Sequence, residues 1–168
     1  TAFNEKMENP PTNIINAGCY IFNRNIINQI PSGKVVSVER ETFPQLLNSG
    51  AKVFGFIDNS YWLDIGTPAA LLKASQDLLS GAISSSATPK VSGNFLALEG
   101  SVIAPSANIG GYSVVGAGAE VEEDAKVVGS VIFDGARVGA RSELTNCFVA
   151  PNFQVPADLV AINNFFGF

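Results

Sequence analysis

The N-terminal part of the chain holds a sparse set of side chains able to act on a charged small molecule. They are Glu5 and Lys6 in "FNEK", Asn16 and Gly18 in "INAG", Glu39 and Glu41 in "SVERE", and Asp64 in "YWLDIGTP". An ammonium point charge suits a phosphate, and a carboxylate suits a hard divalent cation or a hydroxyl donor. A glycine inside an extended segment lets a ligand approach the backbone closely. Together these groups could hold a phosphorylated sugar, with Lys6 on the phosphate, a carboxylate and backbone amides on the hydroxyls, and Asp64 on Mg²⁺.

Each group also has a plainer reading. Lys6 alone fits a solvated surface charge, and Asn16 fits a loop hydrogen bond. Glu39 and Glu41 fall early in a predicted helix, where acids favour the positive end of the dipole whatever else they do. Asp64 fits a turn in which it accepts from the amides of Gly66 and Thr67, and Tyr61 and Trp62 fit core or edge packing. The residues by themselves leave an enzyme and a binding domain equally open.

The elements that must position these groups alternate in type. Residues 13–22, "NIINAGCYIF", are apolar and β-friendly, and 24–30 fits a short helix stopped by Pro31 and Gly33. Residues 37–50 begin with a cap-capable serine and end at Gly50, with Pro44 demanding a kink or a later helix start. Residues 51–57 and 61–65 read as strands. Thr67 as cap and Pro68 in the first turn then open the strongest helix pattern, 68–81. This half reads as α/β, over residues 1–85, and the polar stretch 80–90 reads as a linker.

The second half keeps a beat of six. Aliphatic residues fall at Ile103, Ile109, Val115, Val121 and Val127, slip by one to Ile132, continue to Val138 and Leu144, slip again to Val149, and reach Val155. Two residues before each lies a small one: Ser101, Ala107, Ser113, Ala119, Ala125, Ser130, Ala136, Ser142 and Cys147, with Phe153 the exception. A helix repeats at 3.6 and a strand at 2. Six residues instead make one short strand and a corner, three such units closing one coil of a triangular solenoid. The predicted solenoid covers 90–160, followed by an apolar tail at 161–168.

Bulk properties exclude several classes. The 168 residues are 46% hydrophobic and only 15% charged, with 16 glycines, which favours turn-rich β structure over disorder or a helical bundle. The net charge of −5 provides no basic footprint for nucleic acid. Cys19 and Cys147 are too far apart for a metal cluster and are expected as buried thiols. No apolar run reaches the roughly 18 residues of a membrane span. A soluble cytoplasmic protein is the expectation.

"FNEK", "INAGCYIF", "SVERETFP", "FGF" and "YWLDIGTP" occur in an order and spacing that resembles the C-terminal portion of the sugar-1-phosphate nucleotidyltransferases. That family continues into a left-handed parallel β-helix of hexapeptide repeats, so the resemblance spans nearly the whole chain. It implies a C-terminal fragment of an α/β nucleotidyltransferase domain followed by that helix. By the resemblance, Lys6 contacts the sugar phosphate, Glu5 is a lesser sugar contact, Asn16, Gly18 and Glu39 meet the sugar, and Asp64 holds the catalytic Mg²⁺. Met7 stands where the family usually has proline.

The motifs look most like the mannose/guanylyl branch, which implies mannose 1-phosphate or a similar sugar phosphate and GTP as substrates. The family's Gly-rich, Arg-bearing nucleotide loop has no counterpart here, so the chain is expected to be part of a longer enzyme and inactive alone. A homo-oligomer is expected from the open coil edges and the apolar tail. The alternatives are a non-catalytic regulatory or assembly module and, less favoured, a β-helix acyltransferase. The absence of histidine weighs against the last, since those resembled enzymes generally use that residue as general base.

Overall fold

The computed structural model describes residues 8, 9, 11–86 and 93–167, in two compact units that part between Trp62 and Leu63. In the first unit, helix α1 (Arg24–Ile27) is started by Asn23, whose side chain accepts from the Asn25 amide. A five-residue π turn, Val38–Thr42, then runs directly into helix α2 (Phe43–Asn48). Pro44 explains the join. It has no amide hydrogen and its ring crowds the turn behind it, so α winding starts afresh at Phe43 with Pro44 in its first turn. The amides of Thr42 and Phe43 reach five residues back, to the Ser37 and Val38 carbonyls.

The strands expected at 13–22, 51–57 and 61–65 do not form. No described residue before Phe95 joins a β ladder. A strand-patterned segment is stabilised by the strand beside it, and these have none within the described residues. Their side chains show it: Ile14, Ile21, Phe54, Phe56 and Ile57 are exposed, Phe56 to 91%. Cys19, expected as a buried thiol, lies on one of these segments and is exposed as well.

The second unit opens with helix α3 (Pro68–Leu79), started as the sequence predicts, with the Thr67 hydroxyl accepting from the Ala70 amide. The helix buries Leu72, Asp77 and Leu79, and Asp77 is ion-paired to Lys73 one turn earlier. Part of the linker, residues 87–92, lies outside the described residues. Beyond it the chain winds into a solenoid with three parallel faces. One face stacks Phe95–Ala97, Ser113–Val115, Val131–Ile132, Phe148–Val149 and Phe165–Phe166. The second stacks Val102–Ile103, Glu120–Val121, Arg137–Val138 and Gln154–Val155. The third stacks Asn108–Gly110, Lys126–Val128, Glu143–Thr145 and Val160–Ile162. The described part of the expected tail therefore continues the rungs, through Ile162 and the pair Phe165–Phe166.

Every aliphatic residue of the six-beat lies in a strand, and Val115, Val127, Ile132, Val138, Leu144 and Val149 are wholly buried. Each contributes about 1.5–3 kcal/mol of hydrophobic burial. The small partners Ser113, Ala119, Ala125, Ser130, Ala136, Ser142 and Cys147 are buried completely too. Three of them form a ladder up one edge. The Ser113 hydroxyl accepts from the Ser130 amide at 3.0 Å and donates to the Gly110 carbonyl, and the Ser130 hydroxyl accepts from the Cys147 amide at 2.9 Å. Buried hydroxyls are thereby satisfied where the wall bends.

The two slips in the beat occupy the same corner, between the third face and the first. The earliest passage uses two residues of positive φ, Gly111 and Tyr112, whereas the later ones use a single one, Gly129, Asn146 or Asn163. Dropping one left-handed residue shortens the rung offset from 18 (Phe95 beside Ser113) to 17 (Val131 beside Phe148) without breaking register. Asparagine tolerates this conformation better than most residues. At the corner between the second face and the third, Arg141 also has positive φ, and it makes a two-pronged ion pair to Asp158 of the following coil at 2.6 and 2.8 Å.

Coils pack tightly at Gly116, where an added Cβ would lie 2.6 Å from the Asp134 amide nitrogen. Gly116→Ala is expected to destabilise the solenoid by about 1–3 kcal/mol, read as a fall in the melting temperature of the β signal. The coil-bridging carboxylates set an acid limit. The Arg137 hydrogen bond, seconded by the Ala140 amide, holds Glu122 below its ordinary 4.5, and the Arg141 hydrogen bond likewise lowers Asp158 from 3.8. A depressed folded-state value stabilises the fold above the unfolded value, and the benefit is lost as pH falls through the folded one. The melting temperature should therefore drop below about pH 4.5, and less so in the Glu122→Gln, Asp158→Asn double variant.

Candidate functional site

Asn16, Gly18 and Glu39 come together in the first unit. Asn16 and Gly18 lie on the extended segment before α1, and Glu39 projects from the π turn ahead of α2. The Asn16 amide Nδ2 donates to Glu39 Oε1 at 2.5 Å and to the Tyr20 hydroxyl at 2.5 Å. The Tyr20 hydroxyl in turn donates to the same Glu39 Oε1 at 2.6 Å. Asn16 Oδ1 accepts from the Gly18 amide at 3.1 Å, closing a local turn.

Gly18 has φ +73°, and an added Cβ would meet no atom within 4 Å. The sequence reading took this glycine as a mark of close backbone approach. Among the described residues the requirement is conformational, since the surrounding space is open to a ligand.

The π turn separates the roles of the two acids that the sequence left side by side. Ser37 caps the turn by accepting from the Arg40 amide, and Glu41 Oε1 reaches back to accept from the Ser37 amide at 2.9 Å. That is a reciprocal capping arrangement with the acid one residue later than in an α-helix, as the wider winding requires. Glu41 is thus engaged by its own helix start, and Glu39 faces the Asn16 side chain.

Tyr20 is the member that sequence reasoning missed. Its signal was available: a tyrosine four residues from Asn16 carries a hydroxyl that can donate to a carboxylate. The ring is fixed by packing edge-on to the buried Phe43, with centroids 5.0 Å apart, while Phe22 stacks on Phe43 at 5.8 Å.

Asp64 belongs to the second unit and is exposed. Its Oδ1 accepts from the Gly66 amide at 3.0 Å, so the plain turn role is realised by one oxygen, and among the described residues no hydrogen bond engages the other. Among the described residues no three Asp, Glu, Cys or His side chains converge as a ready-made metal cage. A single open carboxylate oxygen nevertheless fits Mg²⁺, which commonly takes one or two protein carboxylates and completes its shell with waters and substrate phosphates. Glu5 and Lys6 lie outside the described residues. A groove lined by Ile26, Lys34, Glu41 and Gln45 takes in Glu41 but not Asn16, Gly18, Glu39 or Asp64.

Residues 1–81 match the family model described as nucleotidyl transferase, and residues 96–163 match that described as GlmU-like, C-terminal hexapeptide. A mannose-1-phosphate guanylyltransferase of Mycobacterium tuberculosis is 49% identical over 140 residues, covering 83% of this chain. This chain belongs to the sugar-1-phosphate nucleotidyltransferase family. Glucose-1-phosphate adenylyltransferases of Bacillus cytotoxicus and Bacillus cereus are 26% and 30% identical over 176 residues, covering 91% of the chain. The chain spans 39% of the mycobacterial protein's length and 47% of each Bacillus protein's. In fold terms this family member pairs an α/β transferase-type region with a parallel hexapeptide solenoid, and no helix among its described residues is long and apolar enough to cross a membrane.

Proposed function

We propose that this chain supplies the sugar-phosphate side of a nucleotidyltransferase that joins mannose 1-phosphate, or a similar sugar phosphate, to GTP. A phosphate oxygen of the sugar 1-phosphate attacks the α-phosphorus of the nucleotide, the bond to the β-phosphate oxygen breaks, and pyrophosphate leaves as GDP-mannose forms. The observation that carries this reading is the Asn16–Tyr20–Glu39 cluster, a carboxylate and an amide held beside an open backbone turn at Gly18.

In this reading Glu39 accepts from sugar hydroxyls, Asn16 and the Gly18 backbone orient the ring, and Glu5 assists. Lys6 offsets charge on the sugar phosphate as two anions approach. Asp64 is the protein ligand to Mg²⁺, which when bound supplies charge neutralisation on the phosphates. Alignment contributes most of the rest, since the reaction needs two phosphates in line and no covalent enzyme intermediate.

The guanylyl assignment is supported by the 49% identity to a protein bearing that name, and the Bacillus relatives favour glucose 1-phosphate with ATP as the second reading. Rates of pyrophosphate release from the four sugar and nucleotide combinations separate them. Mannose 1-phosphate with GTP is expected fastest, and a preference for glucose 1-phosphate with ATP would replace the substrates while leaving the reaction class. The 168 residues alone are expected to show no turnover. In the complete protein, Asp64→Asn should cut Mg²⁺-dependent turnover by on the order of 100-fold or more with an unchanged melting curve. Undiminished turnover would remove Asp64 from the site, and an inactive complete protein would favour the regulatory module.

A further inference from the structure

We propose that Tyr20 is a positioning residue that determines which oxygen of Glu39 meets the sugar. The inference rests on the reading above, in which Glu39 accepts from a sugar hydroxyl. Two donors, the Tyr20 hydroxyl at 2.6 Å and the Asn16 amide at 2.5 Å, converge on Oε1 of Glu39. No hydrogen bond to Oε2 is made among the described residues. A carboxylate pinned through one oxygen cannot rotate freely, so its second oxygen keeps its lone pairs in a fixed direction for an incoming hydroxyl.

Tyr20 is suited to this because its ring is held independently of its hydroxyl. The edge-on contact to Phe43 and the tilted contact to Phe22 at 6.1 Å anchor it to the start of α2, the helix that follows Glu39. Asn16 alone would hold Oε1 less firmly. Its other amide atom is already committed to the Gly18 turn, and its single Nδ2 is shared between Tyr20 and Glu39. Tyr20 thus converts aromatic packing under the site into orientation of the acid within it. The ligand class addressed is a pyranose 1-phosphate presenting at least one hydroxyl donor to Glu39 Oε2.

Tyr20→Phe removes one oxygen and leaves the ring contacts. In the complete protein, with mannose 1-phosphate as the varied substrate, KM and the calorimetric Kd should both rise about tenfold. The kcat should stay within about twofold and the KM for the nucleotide should not move. Preference for the parent sugar phosphate over its single-deoxy analogues should shrink, a change that loose packing alone would not produce. Glu39→Gln serves as the reference. If it leaves sugar-phosphate affinity intact, the site reading itself fails. If it weakens affinity while Tyr20→Phe leaves KM, Kd and deoxy-sugar discrimination as they were, the positioning role alone is overturned. A fall in kcat at constant KM in Tyr20→Phe would overturn it equally.

Discussion

A parallel strand of two or three residues cannot stand alone, and this constraint organises the whole chain. Its amides and carbonyls point along the direction in which the next strand must lie, and in the interior coils they meet strands both above and below. The Ala119 carbonyl accepts from Val102, the Ala136 carbonyl from Glu120, and the Phe153 carbonyl from Arg137. Burial of the aliphatic column follows from the stacking, as does the need for small residues where three walls meet. The transferase-type unit shows the same constraint unmet. Its strand-patterned segments have the right alternation and no strand beside them among the described residues, so Phe54 and Phe56 face solvent while the helices around Phe43 keep their local order.

The candidate sugar site depends on local devices that need no sheet. Pro44 forces the chain to start α2 anew, the preceding residues wind wide, and the π turn points Glu39 and Glu41 to different tasks. Glu41 closes the cap and Glu39 is held by the extended segment 23 residues earlier in sequence. Asp64 is likewise set by its own turn with Gly66. A site assembled from short-range turns keeps its internal geometry even where the surrounding layer is unpaired, which is why the cluster is recognisable here.

Legibility in the sequence followed range. The solenoid was readable because ten positions repeat an inward aliphatic, nine of them with a small residue two places before it. Even the slips at Ile132 and Val149 were visible, although only the backbone explains them, through one fewer left-handed residue at a single corner. Caps were readable too, at Ser37 and Thr67, since the hydroxyl and the amide it bonds are three residues apart. The strands of the first half were misjudged because alternation states a preference and pairing fulfils it. Cys19 was misjudged for the same reason. Tyr20 escaped notice because a tyrosine beside phenylalanines reads as packing, and its hydroxyl acquires a role only once the π turn brings Glu39 across to it.

Phe153 changes how one corner of the solenoid is filled. In the earlier coils its place is taken by Ser101, Ala119 and Ala136, residues small enough for another layer to settle on top. At the last coil the phenyl ring tilts against Phe166, 6.2 Å away, and crowds the α-carbon of Gly167. One large ring thus fills, beside Phe166 and Gly167, a corner that a hydroxyl or a methyl fills elsewhere, and Gly167 is the residue whose lack of a side chain makes room for it.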